Sequence, residues 1–167
     1  MAEIEIERSR EPEPTMSEYE AKTAREIRML EAYKKGKRVV KFKDIKWENN
    51  RQGYIKFYST PHKQDMAAPF WLLFINHIEQ HSGKHIHQGG LPILVLKGKG
   101  YSIVEGVRYD WKKGDLLLLP IKPGGVEHQH FNLTNEPAEW MAIRWFPFLD
   151  FMANLTKQVE VQPNYKK

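Results

Sequence analysis

From residue 38 onward the chain alternates short apolar runs with polar, glycine-bearing breaks, and this rhythm predicts strands. The runs are Arg38–Phe42, Gly53–Tyr58, Phe70–Ile78, His85–His87, Ile93–Leu96, Tyr101–Val104, Val107–Trp111, Leu116–Leu119, Glu127–Leu133 and Trp140–Trp145. Breaks such as Asn49-Asn50, Ser82-Gly83, Gly89-Gly90, Lys113-Gly114-Asp115 and Pro123-Gly124-Gly125 separate them, and Glu105-Gly106 reads as a two-residue hairpin turn. Many short strands without intervening helices predict an all-β antiparallel sandwich or barrel. The four leucines of Leu116–Leu119 form a continuous apolar run, which predicts a strand buried on both faces.

Before residue 38 the pattern is helical. Ser17 followed by Glu20 fits a capping box, and Tyr19, Ile27, Leu30 and Tyr33 give a sparse apolar stripe. These predict a helix from Ser17 to Lys35, ended by Gly36 and packed across the outside of the main body. Ala2–Glu7 alternates apolar and acidic residues; it reads either as an edge strand, on a partner subunit, or as a frayed tail. Phe146–Met152 is strongly apolar, suited to covering the body or to a subunit contact, and the final segment reads as a tail. The plan is thus residues 1–37 as tail and helix, 38–150 as the β body and 151–167 as a C-terminal extension.

A chain of 167 residues suits one domain with a real core. It has no cysteine, which excludes disulfides, thiolate ligands and thiol nucleophiles and leaves a metal only nitrogen and oxygen donors. The net charge of +5 is spread along the chain rather than concentrated on a helix with interleaved aromatics, so no nucleic-acid partner is expected. No apolar run reaches the length of a membrane span, and the expectation is a cytoplasmic protein without a membrane partner.

Chemistry concentrates in the histidines. Six of the seven fall between His77 and His130. In His85-Ile86-His87 the two imidazoles share one face of a strand, because strand side chains alternate. His128, His130 and Asn132 share parity further on, which supplies the third ligand that a divalent ion needs.

His85-Ile86-His87 followed by Gly98 resembles the first motif of the cupin superfamily, and Gly114, Pro120, His128 and Asn132 resemble its second. The resemblance covers roughly residues 70 to 145. It implies a cupin jelly-roll barrel with an N-terminal helical arm, and a divalent metal held by His85, His87 and His128. Leu91 stands where the family often has a glutamate ligand, so a site of three histidines alone is expected. His128-Gln129-His130-Phe131-Asn132 is similar to the ending found in gentisate and salicylate dioxygenases. What this implies is Fe(II) chemistry with O2 on a small aromatic or carbonyl and hydroxy-acid substrate. Alternatives are a Mn, Ni or Zn isomerase, lyase or hydrolase, and a non-catalytic small-molecule binding protein. A homodimer is implied by the edges that cupins cover on pairing.

His130 is the candidate catalytic group, as a hydrogen-bond or proton partner for substrate or oxygen; it also reads as a fourth ligand or as a barrel-lining histidine paired to a neighbour. Candidate substrate contacts are Gln88 through its amide, Trp140 as part of an aromatic wall with Trp71 and Phe131, and Arg144. Facing inward, Arg144 would clamp a carboxylate; facing outward, it is an ordinary surface arginine. His77 and His81 read as surface groups or as groups behind the ligands.

Overall fold

The Ser17 hydroxyl accepts from the Glu20 backbone N–H at 3.3 Å, and the Glu20 carboxylate accepts from the Ser17 N–H at 2.9 Å. This reciprocal cap starts helix α1 (Glu18–Lys35), and Gly36 ends it, as the sequence predicts. The structure is a computed structural model that describes residues 17–63, 65–152 and 156–166; the alternating Ala2–Glu7 segment lies outside them. The expected packing of α1 across the body is not found. Tyr19, Ile27, Leu30 and Tyr33 all stay exposed, and Ala32 is the one buried residue of the helix. So sparse a stripe, set among charges, offers too little apolar area to hold the helix down.

The remaining elements are β1 (Glu48–Asn49), β2 (Tyr54–Ser59), β3 (Trp71–Ile78), β4 (Lys84–His87), β5 (Leu91–Lys97), β6 (Lys99–Val104), β7 (Val107–Lys112), β8 (Leu116–Leu119), β9 (Val126–Asn132), β10 (Ala138–Trp145), the short helix α2 (Phe146–Phe151) and β11 (Lys157–Glu160). They build two antiparallel sheets, one in the order β1-β2-β3-β10-β5-β8 and the other β11-β4-β9-β6-β7. Pairing does not run from one sheet into the other among the described residues, so the expected barrel takes the form of an open two-sheet jelly roll. Ile55, Phe74, Ile93 and Trp140 of the first sheet pack with Val104 and Val126 of the second to form the core. The β6–β7 hairpin turns on Glu105 and Gly106, both at positive φ (52° and 79°), as a primed two-residue turn requires.

Three expectations are corrected. Arg38–Phe42 is not a strand; it runs extended into a single 3-10 turn at Phe42–Asp44, and Phe42 and Trp47 cover the outer face of β2 by packing on Tyr58 and Tyr54. Leu116–Leu119 is a strand but not one buried on both faces. It is the edge of its sheet, with Leu116 and Leu118 57% and 65% exposed and Leu119 buried. The C-terminal segment is no tail: β11 pairs antiparallel with β4, setting Gln158 opposite His85, and Gln162 is buried with its side chain donating to Asn49 at 2.8 Å.

Candidate metal centre

Register assembles the site. β4 and β9 pair so that His85 lies directly opposite His128, and His87, two residues along β4, falls on the same inward face. The three rings converge, with centroids 4.3 Å apart for His85 and His128, 4.5 Å for His87 and His128 and 5.0 Å for His85 and His87. One nitrogen from each lies within 4.8 Å of the others. Gly125 lets the preceding loop close against β4: its φ is +87°, and a Cβ there would meet the His87 backbone at 3.0 Å.

Each ligand ring is held from behind by a backbone carbonyl. His85 Nδ1 contacts Gly83 O at 3.0 Å, His87 Nδ1 contacts Gln88 O at 2.7 Å and His128 Nδ1 contacts Val126 O at 3.0 Å. A carbonyl only accepts, so each Nδ1 carries the proton and each Nε2 keeps a free lone pair. Burial, the Arg144 charge and the neighbouring rings hold His87 down to about 2; burial and then His85 hold His128 down to about 3. His85 is lowered as well, chiefly by burial. Three neutral, pre-oriented imidazoles with no carboxylate suit a divalent ion, and a first-row transition metal above all. Leu91 is buried and lines the same cavity.

The cavity around the site has a volume of about 190 Å³ and is lined by Ile55, Phe57, Phe74, Asn76 and Trp140 of the first sheet, facing the histidines of the second. Arg144 faces inward and is 8% exposed. Among the described residues it is the one formally charged side chain lining the cavity, and its Nε has no partner there; one terminal nitrogen donates to Gln88 O at a long 3.5 Å. Burial lowers it to about 10, which leaves it cationic at neutral pH. Trp140 Nε1 and Asn76 Oδ1 are likewise buried without partners among the described residues, and these two residues face each other across β10 and β3. His130 lies in the same cavity, its ring 5.5 Å from His128 and 4.9 Å from Trp140, with Nδ1 engaged by Ser102 at 2.7 Å.

Other expected contacts go elsewhere. The Gln88 amide does not enter the cavity; it donates to Lys122 O at 2.9 Å and accepts from the Lys122 and Gly89 N–H groups, stapling the loop before β9. The aromatic wall is Phe57, Phe74 and Trp140, since Trp71 faces outward opposite Trp145 and Phe131 stacks on Tyr101 with rings 4.7 Å apart. Strand parity explains both: Phe131 alternates with His130, and Trp71 pairs with an outward residue. His77 sits outside, bonded to Glu139 at 2.9 Å and packed on Trp47. Asn132 holds the following turn through Thr134 and Glu136. Asn76 and Ser102 were missed, although each is the one polar residue on the inward face of its strand.

The cupin domain family matches residues 74–144 of this chain. A gentisate 1,2-dioxygenase of a Ralstonia species is 30% identical over 69 residues, which span 41% of this chain and 19% of that protein. Among solved structures, a cupin-like protein from Thermotoga maritima aligns with a TM-score of 0.52 at 20% identity, over 68% of this chain and 87% of that one. The salicylate 1,2-dioxygenase of Pseudaminobacter salicylatoxidans aligns with a TM-score of 0.47 at 24% identity, over 59% of this chain and 30% of that one. This chain therefore spans less than a third of the length of either dioxygenase. The match to the cupin domain family falls on the segment that carries the three converging histidines, and it spans strands of both antiparallel sheets.

Proposed function

We propose that this chain is a cupin and an Fe(II)-dependent dioxygenase acting on a small anionic substrate, an aromatic or hydroxy acid, held between the three-histidine site and Arg144. The observation that carries the reading is the buried Arg144, which no acidic residue faces across the cavity among the described residues and whose Nε is left without a partner there. An uncompensated buried charge is costly, and the natural occupant of such a site brings the countercharge. His85, His87 and His128 would hold the metal, and a bound Fe(II) would supply the redox chemistry that O2 activation needs. Arg144 would orient the substrate carboxylate. Trp140 Nε1, a donor, and Asn76 Oδ1, an acceptor, face each other in register and together match a hydroxyl, which both accepts and donates. Phe57 and Phe74 supply apolar walls that exclude water. The name of the Ralstonia relative supports the reaction class. We extend the reading to a homodimer.

The test is anaerobic reconstitution with Fe(II), followed by metal analysis and oxygen-electrode assays across hydroxylated aromatic acids and aliphatic hydroxy acids. The expected result is one iron per chain, oxygen uptake with at least one acid, and loss of iron in His128→Ala. In Arg144→Gln the KM for that acid should rise by about a hundredfold, the loss of a buried charge-assisted contact, with iron content unchanged. Turnover that needs no oxygen, or tight acid binding indifferent to both iron and Arg144, would overturn the proposal.

A further inference from the structure

The cavity histidines divide by which ring nitrogen the protein holds. In His85, His87 and His128 the Nδ1 atoms meet carbonyls, which can only accept. In His130 the Nδ1 meets the Ser102 hydroxyl at 2.7 Å, a group able to do either. The direction is decided one strand further away. Trp111 Nε1 donates to the same hydroxyl oxygen at 2.9 Å, and an indole nitrogen can only donate. Ser102 is fully buried, and its side chain bonds to Trp111 and His130 alone among the described residues. If His130 Nδ1 also carried a proton, the hydroxyl would receive two donors and its own O–H would be buried without an acceptor, a cost of the kind proteins avoid. The balanced arrangement runs Trp111 N–H to Ser102 O, then Ser102 O–H to His130 Nδ1.

The arrangement is built by register. Ser102 is the direct partner of His130 across β6 and β9, and Gly100 is the partner of Trp111 across β6 and β7. A Cβ on Gly100 would lie 2.4 Å from the Trp111 ring, so the glycine makes the space through which the indole reaches Ser102.

We propose that Ser102, oriented by Trp111, fixes His130 in the Nε2–H tautomer, so that His130 meets the cavity as a hydrogen-bond donor. Its Nε2 then has no lone pair for the metal, which separates it from the three ligands, and it serves an acceptor oxygen of the substrate or of O2 rather than acting as a base. Ser102 and Trp111 are positioning residues. Their bearing on turnover rests on the dioxygenase reading, but the tautomer is observable without turnover.

Long-range 1H–15N spectra of the full chain labelled with 15N-histidine, metal-free and loaded with Zn(II), read the tautomer directly, and the resonance missing in His130→Gln assigns it. The expected wild-type signature is a protonated Nε2 and an unprotonated Nδ1, in both metal states. Ser102→Ala should shift His130 toward Nδ1–H or a mixture, Trp111→Phe should do so in part, and Ser102→Thr should restore the wild-type pattern. Wild-type His130 found as Nδ1–H or doubly protonated at neutral pH would overturn the proposal, whether or not any variant folds. A wild-type pattern retained in folded Ser102→Ala would overturn the role of Ser102. A confirmed tautomer in a protein that consumes no oxygen would sink the dioxygenase reading and leave this one standing.

Discussion

At the scale of single residues, the cavity keeps three ligand rings neutral without any acid. Burial does most of this, and in the metal-free chain it has a pH signature. His87 is held down to about 2 and His128 to about 3, against an ordinary value of 6.5. The unfolded chain takes up these protons as pH falls past about 6.5, while the folded chain refuses them until about 3 for His128 and about 2 for His87. Between those limits the unfolded state holds more protons, so stability rises with pH. The stabilisation is complete above the unfolded value and declines through the window on acidification, by about 1.4 kcal/mol per pH unit for each ring. The urea midpoint of metal-free protein should therefore be clearly lower at pH 5 than at pH 7.5, and His87→Gln should narrow the gap. Equal midpoints in wild-type protein would show that the rings titrate normally. Saturating Zn(II) should widen the stable range toward acid, since metal and proton compete for the same Nε2 lone pairs.

At the scale of elements, the site hangs on a four-residue strand. β4 carries two of the three ligands, with β9 on one side and β11 on the other. A chain stopped after residue 155 would lose β11 and leave β4 as the sheet edge, with His85 no longer flanked by Gln158. None of the main core residues comes from β11, so this truncation should still fold. Its Zn(II) affinity, measured by chelator competition, should fall by about tenfold or more, the scale of losing a ligand's outer support; an unchanged affinity would show that β9 alone positions the ligands. The element explains where the sequence could be read and where it could not. His85 and His87 were legible from period-2 parity, which left His128 and His130 on one side, and the resemblance to the cupin motif singled out His128; the same parity, applied to Phe131, would have turned it away from the cavity. β11 was not legible: Lys157–Glu160 offers little apolar signal, and its partner lies some seventy residues back in sequence. Leu116–Leu119 misled for the opposite reason, since a four-leucine run looks the same whether its second face meets protein or nothing within the chain.

At the scale of the whole molecule, that second face carries the last prediction. The outer surface of β10, β5 and β8 presents Trp145, Leu94, Leu116 and Leu118, with Trp71 of β3 opposite Trp145 and Met141 opposite Leu94. Charge appears at one end only, where Glu139 pairs in register with Lys97. The other half of the same sheet is already covered by Phe42 and Trp47. A contiguous apolar face on a chain of net charge +5 is a place where two copies can meet with little mutual repulsion, and a two-fold pairing of a face with itself needs no other partner. The occupant we assign is a second copy of this chain. Light scattering coupled to size exclusion should give twice the 19.7 kDa chain mass. Leu94→Lys combined with Met141→Lys should give the single-chain mass, because four lysines would then face one another across the two-fold. The cavity with the three histidines lies behind the opposite face of this sheet, so the doubly substituted chain should still bind one ion through them. A wild-type monomer would refute the assignment, and so would a dimer indifferent to both lysines, which would have to be held elsewhere.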